Sequence, residues 1–144
     1  MLVGFSMSGQ TLADLLPEFG SECDCVVMIA PAVYDEQVRD LPFEDEEFTE
    51  GIRRAGSWEE SDAYASIRAF QRPVIVVTAG KDQVVLEPVV DELTSAAAAD
   101  GGIFRVHLPD APHRLSEWLS TNERDRTTVL DAIDRALGRG GWSD

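Results

Sequence analysis

Apolar and polar positions alternate along this chain in blocks that change period. Leu2, Val3 and Phe5 read as the end of a short buried strand. From about Gly9 to Phe19 the apolar residues Leu12, Leu15, Leu16 and Phe19 follow i, i+3, i+4, i+7 spacing, which predicts a helix. Pro17 is expected to disturb its last turn and Gly20 to end it. Cys25 to Ala30 is a continuous, β-branched apolar run stopped by Pro31, as suits a strand covered on both faces. A second such run, Val74 to Thr78 after Pro73, leads into the turn Ala79-Gly80-Lys81-Asp82. Pro88, following Glu87, sits at the expected first position of a helix whose apolar face is Val89, Val90, Leu93 and Ala97, with Asp100-Gly101-Gly102 as its breaker. Ile103, Phe104, Val106 and Leu108 make another strand, closed by the turn Pro109 to His113. A final helix is predicted from about Glu123 to Leu137, capped by Asn122, facing the core with Val129, Leu130, Ile133 and Leu137, and stopped at Gly138.

Pro31 to Gln71 has a different character. Asp40-Leu-Pro-Phe43 and the acidic run Glu44 to Glu47 precede a short helix around Phe48 to Arg54. A second helix fits Ser61 to Phe70, with Ser57 or Ser61 as cap and Tyr64, Ile67 and Phe70 on one face. The segment reads as an insertion between two strands. The element order is then strand, helix, strand, insertion, strand, helix, strand, helix. Such alternation implies an α/β fold with a parallel sheet and helices on both faces. Function in these sheets gathers beyond the carboxyl ends of the strands.

The 144 residues suit one domain, and an apolar fraction of 44% suffices for a packed core. No apolar run reaches the ~20 residues of a membrane span, and no basic, apolar leader follows Met1, so the expected compartment is the cytoplasm. The formal net charge is −15, with Lys81 the sole lysine. That charge disfavours nucleic acid and anionic membrane surfaces as partners. It also fits a saline cytoplasm, where screening weakens self-repulsion. Cys23 and Cys25 flank Asp24 at a spacing too short for a usual metal pair, and no second pair exists, so they read as small residues at a strand entrance.

Chemistry enters at Gly4-Phe-Ser-Met-Ser-Gly9, between a strand and a helix. A tight turn there projects the hydroxyl of Ser6 above the sheet and demands small neighbours two residues either side, here Gly4 and Ser8. A serine hydroxyl needs a base. Of the two histidines, His113 follows the last strand, whereas His107 lies within it and reads as structural. A third group must orient the imidazole, and Asp82 follows a buried strand. Ser6, Asp82 and His113 each fall just after a predicted strand, hence on one edge of the sheet. Each also has a plain structural reading: Ser6 as a helix cap, Asp82 as a turn aspartate, His113 as a surface residue. Ser8, Cys25, Asp110 and Trp118 read as structural, and Glu44 to Glu47 as a solvated face.

The elbow, the Ile29-Ala-Pro-Ala-Val33 strand end, the Gly80-Lys-Asp82 turn and the Ala111-Pro-His113 segment, in this order, resemble the C-terminal half of the α/β-hydrolase superfamily, in particular its dienelactone-hydrolase-like and esterase-like members. Ser8 departs from the glycine that the family usually carries there. The resemblance implies the parallel-sheet α/β-hydrolase fold, C-terminal half only, with a helical cap insertion at about residues 32–71 whose aromatics Phe43, Phe48 and Trp58 would help line a substrate pocket. It implies a serine hydrolase acting on an ester, thioester or related acyl bond of a small molecule. Ser6 would be the nucleophile, His113 the base, Asp82 the acid and the Met7 N–H an oxyanion donor, with no metal or organic cofactor. The family's upstream strands and its second oxyanion N–H would precede Met1. The chain is therefore expected to be a fragment of weak or no activity, or to pair with a separate N-terminal half or with itself. The alternative is a non-catalytic, degenerate hydrolase domain that binds a small ligand or a protein. The scaffold also hosts lyase and haloperoxidase chemistry.

Overall fold

The computed structural model describes residues 1–97 and 102–139. The strands β1 (Leu2–Phe5), β2 (Val26–Ile29), β3 (Val74–Ala79) and β4 (Ile103–Leu108) form one sheet in the order β1-β2-β3-β4. Every pairing is parallel. Between and after them run α1 (Ser8–Phe19), α2 (Glu36–Arg39), α3 (Glu46–Arg53), α4 (Ala63–Ala69), α5 (Glu87–Ala97), α6 (Leu115–Thr121) and α7 (Glu123–Ala136).

Why β2 and β3 are apolar throughout follows from the pleat. Successive side chains point to opposite faces, and both faces are covered. Val26, Met28, Val74 and Val76 pack with Leu12, Leu16, Ile67 and Leu93 of α1, α4 and α5. Val27, Ile29, Ile75 and Val77 pack with Leu115 of α6 and Val129 and Ala132 of α7. β1 lies at an edge, and its Val3 and Phe5 are exposed. A smaller cluster of Tyr34, Val38 and Phe48 holds α2 against α3 inside the insertion.

Several expectations are corrected. Leu15, Phe19 and Leu130 are exposed; the buried face of α1 is Gly9, Leu12, Ala13 and Leu16, and that of α7 is Val129 and Ala132. Helix α1 continues through Pro17 to Phe19, and a 3-10 turn, Gly20–Glu22, follows. Helix α5 begins at Glu87, so Pro88 is its second residue. Helices α2 and α6 were not foreseen. The expected breaker at Asp100-Gly101 lies outside the described residues, while Gly102 has φ +80°. The cap of α7 is as expected, with Asn122 Oδ1 accepting from Asp125 N–H at 3.1 Å. Ser61 Oγ accepts from Ala63 N–H at 3.1 Å at the start of α4. Among the described residues no helix is long and apolar enough to cross a membrane.

Candidate active site

Ser6 stands between β1 and α1 with φ +48°, a left-handed conformation that costs a non-glycine residue about 1–2 kcal/mol. Three backbone hydrogen bonds hold it there. Its N–H donates to Ile29 O, and its carbonyl accepts from Gly9 N–H and Ala32 N–H, each at 2.9 Å. The neighbouring strand end repeats the feature: Ala30, one residue beyond the Phe5–Ile29 pair, has φ +45°. This bend delivers Pro31 and Ala32 to the elbow.

The demand for small residues falls on Gly4 and Gly9, not on Gly4 and Ser8. A methyl at Gly4 would lie 2.8 Å from Ser8 O, and one at Gly9 would lie 2.9 Å from Ala32 O. Ser8 is itself exposed, which removes the reason for glycine at that position.

Asp82 and His113 come from the ends of β3 and β4, which are locked together. Gly80 N–H donates to Leu108 O at 2.8 Å, and Lys81 N–H donates to Ala111 O at 3.0 Å. Asp82 Oδ1 accepts from the N–H groups of Val84 and Val85 at 2.8 and 3.0 Å, leaving Oδ2 2.9 Å from His113 Nδ1. His113 Nε2 lies 2.9 Å from Ser6 Oγ. A carboxylate accepts only, so Nδ1 carries the imidazole proton and Nε2 presents its lone pair to the serine O–H. The Asp82 side chain is 8% exposed and that of His113 21% exposed, so the pair is shielded yet reachable from solvent.

Cavities open beside Ser6 and beside His113. One, of about 290 Å³, contains Ser6 and Met7 and is walled by Val33, Ile52, Trp58 and Val85. The other, about 520 Å³, is lined by His113, Lys81, Pro112 and Trp118; Val84 borders both. Of the three aromatics expected at the site, Trp58 reaches it. Phe48 is buried against Tyr34, and the exposed Phe43 stacks edge-on against Phe48. Met7 immediately precedes α1, and its N–H engages no acceptor among the described residues.

The remaining candidates form no hydrogen bond to Ser6, Asp82 or His113 among the described residues. His107 Nδ1 is 3.0 Å from Thr78 Oγ1, its cross-strand partner. Trp118 Nε1 donates to Asp125 Oδ2 at 2.7 Å, tying α6 to α7. Asp110 pairs with Lys81 at 3.1 Å. Cys23 and Cys25 are buried and unbonded, and burial pushes the Cys25 thiol up. Among the described residues no cluster of three ligating side chains could hold a metal ion. Sequence reasoning missed Gln10, which is fully buried. Its amide donates to Asp14 and Asp62 at 3.0 and 3.1 Å and accepts from Tyr34 N–H and Ser61 O–H at 3.1 and 2.9 Å. Spacing gave no signal, because Gln10 falls on the face of α1 opposite Leu12, Leu15, Leu16 and Phe19.

The fold is similar to that of solved structures. An esterase of Pyrococcus furiosus superposes with TM-score 0.62 at 18% identity, over 94% of this chain and 52% of its own. The esterase domain of a Rhodothermus marinus protein gives 0.62 at 22%, over 93% and 60%. The chain has the α/β-hydrolase fold. A thermophilic esterase of Thermogutta terrifontis gives 0.60 at 15%, over 99% of this chain and 58% of its own. The chain thus spans little more than half the length of these α/β-hydrolase structures. No protein-family model matches it, and no curated protein matches it in sequence.

Proposed function

We propose that this chain carries the catalytic centre of a serine hydrolase that cleaves an ester, thioester or related acyl bond through an acyl-serine intermediate. The observation that carries the reading is the unbroken hydrogen-bonded series Asp82–His113–Ser6, with Ser6 in a left-handed elbow. Ser6 Oγ attacks the acyl carbonyl while His113 Nε2 takes its proton, a transfer that typically contributes 10²–10⁴-fold. Asp82 holds the imidazole in the required tautomer and stabilises its charged form. The Met7 N–H, at the positive end of α1, is the oxyanion donor in this reading. His113 then returns the proton to the leaving group, and water repeats the cycle on the acyl-enzyme. The 290 Å³ cavity beside Ser6 takes the acyl group, and the depression beside His113 takes the leaving group.

The test is labelling with a serine-reactive fluorophosphonate, read by intact mass. One adduct is expected, absent from Ser6→Ala and strongly slowed in His113→Ala. An adduct retained in Ser6→Ala would overturn the assignment.

A further inference from the structure

We propose that the cavity beside Ser6 selects acyl groups with a second, anionic end: monoesters of short dicarboxylic acids, the ester carbonyl at Ser6 and the free carboxylate at Arg53. The proposal rests on the acyl-serine reading and names its substrate class. The cavity wall is largely apolar, from Val33, Ile52, Trp58, Val85 and Val89, yet two consecutive arginines also line it. Arg54 is already engaged, its guanidinium 3.1 Å from Asp35 Oδ2. Arg53 forms no ion pair among the described residues.

Five of the 12 basic residues form no ion pair among the described residues, and of these Arg53 alone lines this cavity, Arg124, Arg126 and Arg135 lying on α7 and Arg139 beyond it. Arg39, Arg68, Arg72, Lys81, Arg105 and Arg114 all have carboxylate partners. Glu50 precedes Arg53 by three residues on α3, at pairing distance along a helix, and the two do not pair. The C-terminal end of α3 favours a cation in its last turn, but that accounts for the charge and not for its place on a cavity wall shared with Ser6. A guanidinium there offers paired donors that match a carboxylate. The cavity holds about ten water-sized groups, enough for a five-carbon diacid monoacyl. An entirely apolar cavity would reject such a charged tail.

The test has two arms. In the first, Ser6→Ala protein is titrated with monomethyl glutarate and with dimethyl glutarate. The monoanion is expected to bind about tenfold tighter at low salt, less so near ~1 M salt, where the screening length shortens to about 3 Å. Adding Arg53→Gln should abolish the difference. Equal binding of the two esters, or a preference that survives Arg53→Gln, overturns the proposal. In the second arm, kcat/KM is compared for the 4-nitrophenyl monoester of glutarate and for its neutral methyl diester. Arg53→Gln should lower the ratio of the two values about tenfold. A ratio that does not move overturns the proposal while leaving the serine-hydrolase reading intact. Anion-selective binding without any fluorophosphonate adduct at Ser6 would instead overturn that reading and sustain the anion site.

Discussion

The backbones of Gly80 and Pro109 are in contact: a methyl group on Gly80 would lie 2.3 Å from Pro109 O. This contact sits where β3 and β4 end, two residues before Asp82 and four before His113. With the Gly80–Leu108 and Lys81–Ala111 hydrogen bonds, it makes the two loops one unit. Gly80→Ala must therefore push the Asp82 and His113 loops apart, because the obstacle is backbone and not the tip of a flexible side chain. Overpacking of this kind typically costs about 1–3 kcal/mol. The variant is expected to unfold at lower urea and to react more slowly at Ser6. Unchanged labelling in a destabilised Gly80→Ala protein would show that the contact serves stability alone.

Asp82 divides its two oxygens between tasks, so its substitutions should separate them. In Asp82→Asn the carbonyl can still accept from Val84 and Val85, while the amide faces His113 Nδ1 as a donor. The imidazole must then carry its proton on Nε2, which deprives Ser6 of a base. Labelling is expected to slow by about 10³–10⁴, with stability within ~1 kcal/mol of the parent. Asp82→Ala should add a folding cost of about 1–2 kcal/mol from the two unpaired N–H groups. Paired urea titrations and labelling rates check both. Equal folding costs for the two variants would contradict this division.

The sheet and the positions beyond its strands were legible because β2 and β3 are buried on both faces, and continuous Val and Ile runs bounded by Pro31, Pro73 and Gly80 leave little choice. Ser6, Asp82 and His113 could be named together because each follows such a run, and their separations in sequence do not matter to a parallel sheet. What was not legible depends on packing between segments. Helix α2 has four residues, too few turns for a period to show, and of the seven in α6 only Leu115 is buried. Leu130 looks like a core residue from spacing alone, but the sheet reaches Val129 and Ala132 and leaves it in water. Gly9 carries the close approach expected at Ser8 because Ala30 turns its strand end back on the elbow. The aromatics of the insertion divided the same way: Trp58 faces the cavity, while Phe48 supports α2.

Gln10 fills its four hydrogen-bonding positions inside the protein, linking α1 to Tyr34 and to Ser61 and Asp62 before α4. Arg39 closes the same network, 2.7 Å from Asp62 and 3.3 Å from Asp14. Gln10→Leu has a similar size but leaves the Tyr34 N–H without its acceptor in a buried site. A buried orphan costs about 1–3 kcal/mol, so a loss near 2–3 kcal/mol is expected in urea denaturation. Gln10→Glu should also destabilise, because a carboxylate would face Asp14 and Asp62. A Gln10→Leu protein as stable as the parent would mean that the hub is dispensable for folding.

Tyr64 presents the opposite case, a buried hydroxyl with no partner among the described residues. Burial pushes its phenol up, and the neighbouring Glu92 and Glu59 carboxylates push it further. The folded chain therefore holds this proton more tightly than the unfolded chain, whose phenol titrates near 10. The stability associated with the neutral phenol is fully present below about pH 10. It is lost as the pH rises from there toward the folded value, because the unfolded state then binds fewer protons. Tyr64→Phe removes both the orphan and the titration. At pH 7 the variant is expected to match the parent or exceed it by up to about 1 kcal/mol. Between about pH 10 and 11 its advantage should widen, as only the parent pays for the phenol. Urea titrations of the two proteins at pH 7 and at the alkaline end read the difference directly, since Tyr34 and Cys25 are common to both. An advantage that shrinks with rising pH, or a Tyr64→Phe protein clearly weaker at pH 7, would show that the hydroxyl is hydrogen-bonded in solution.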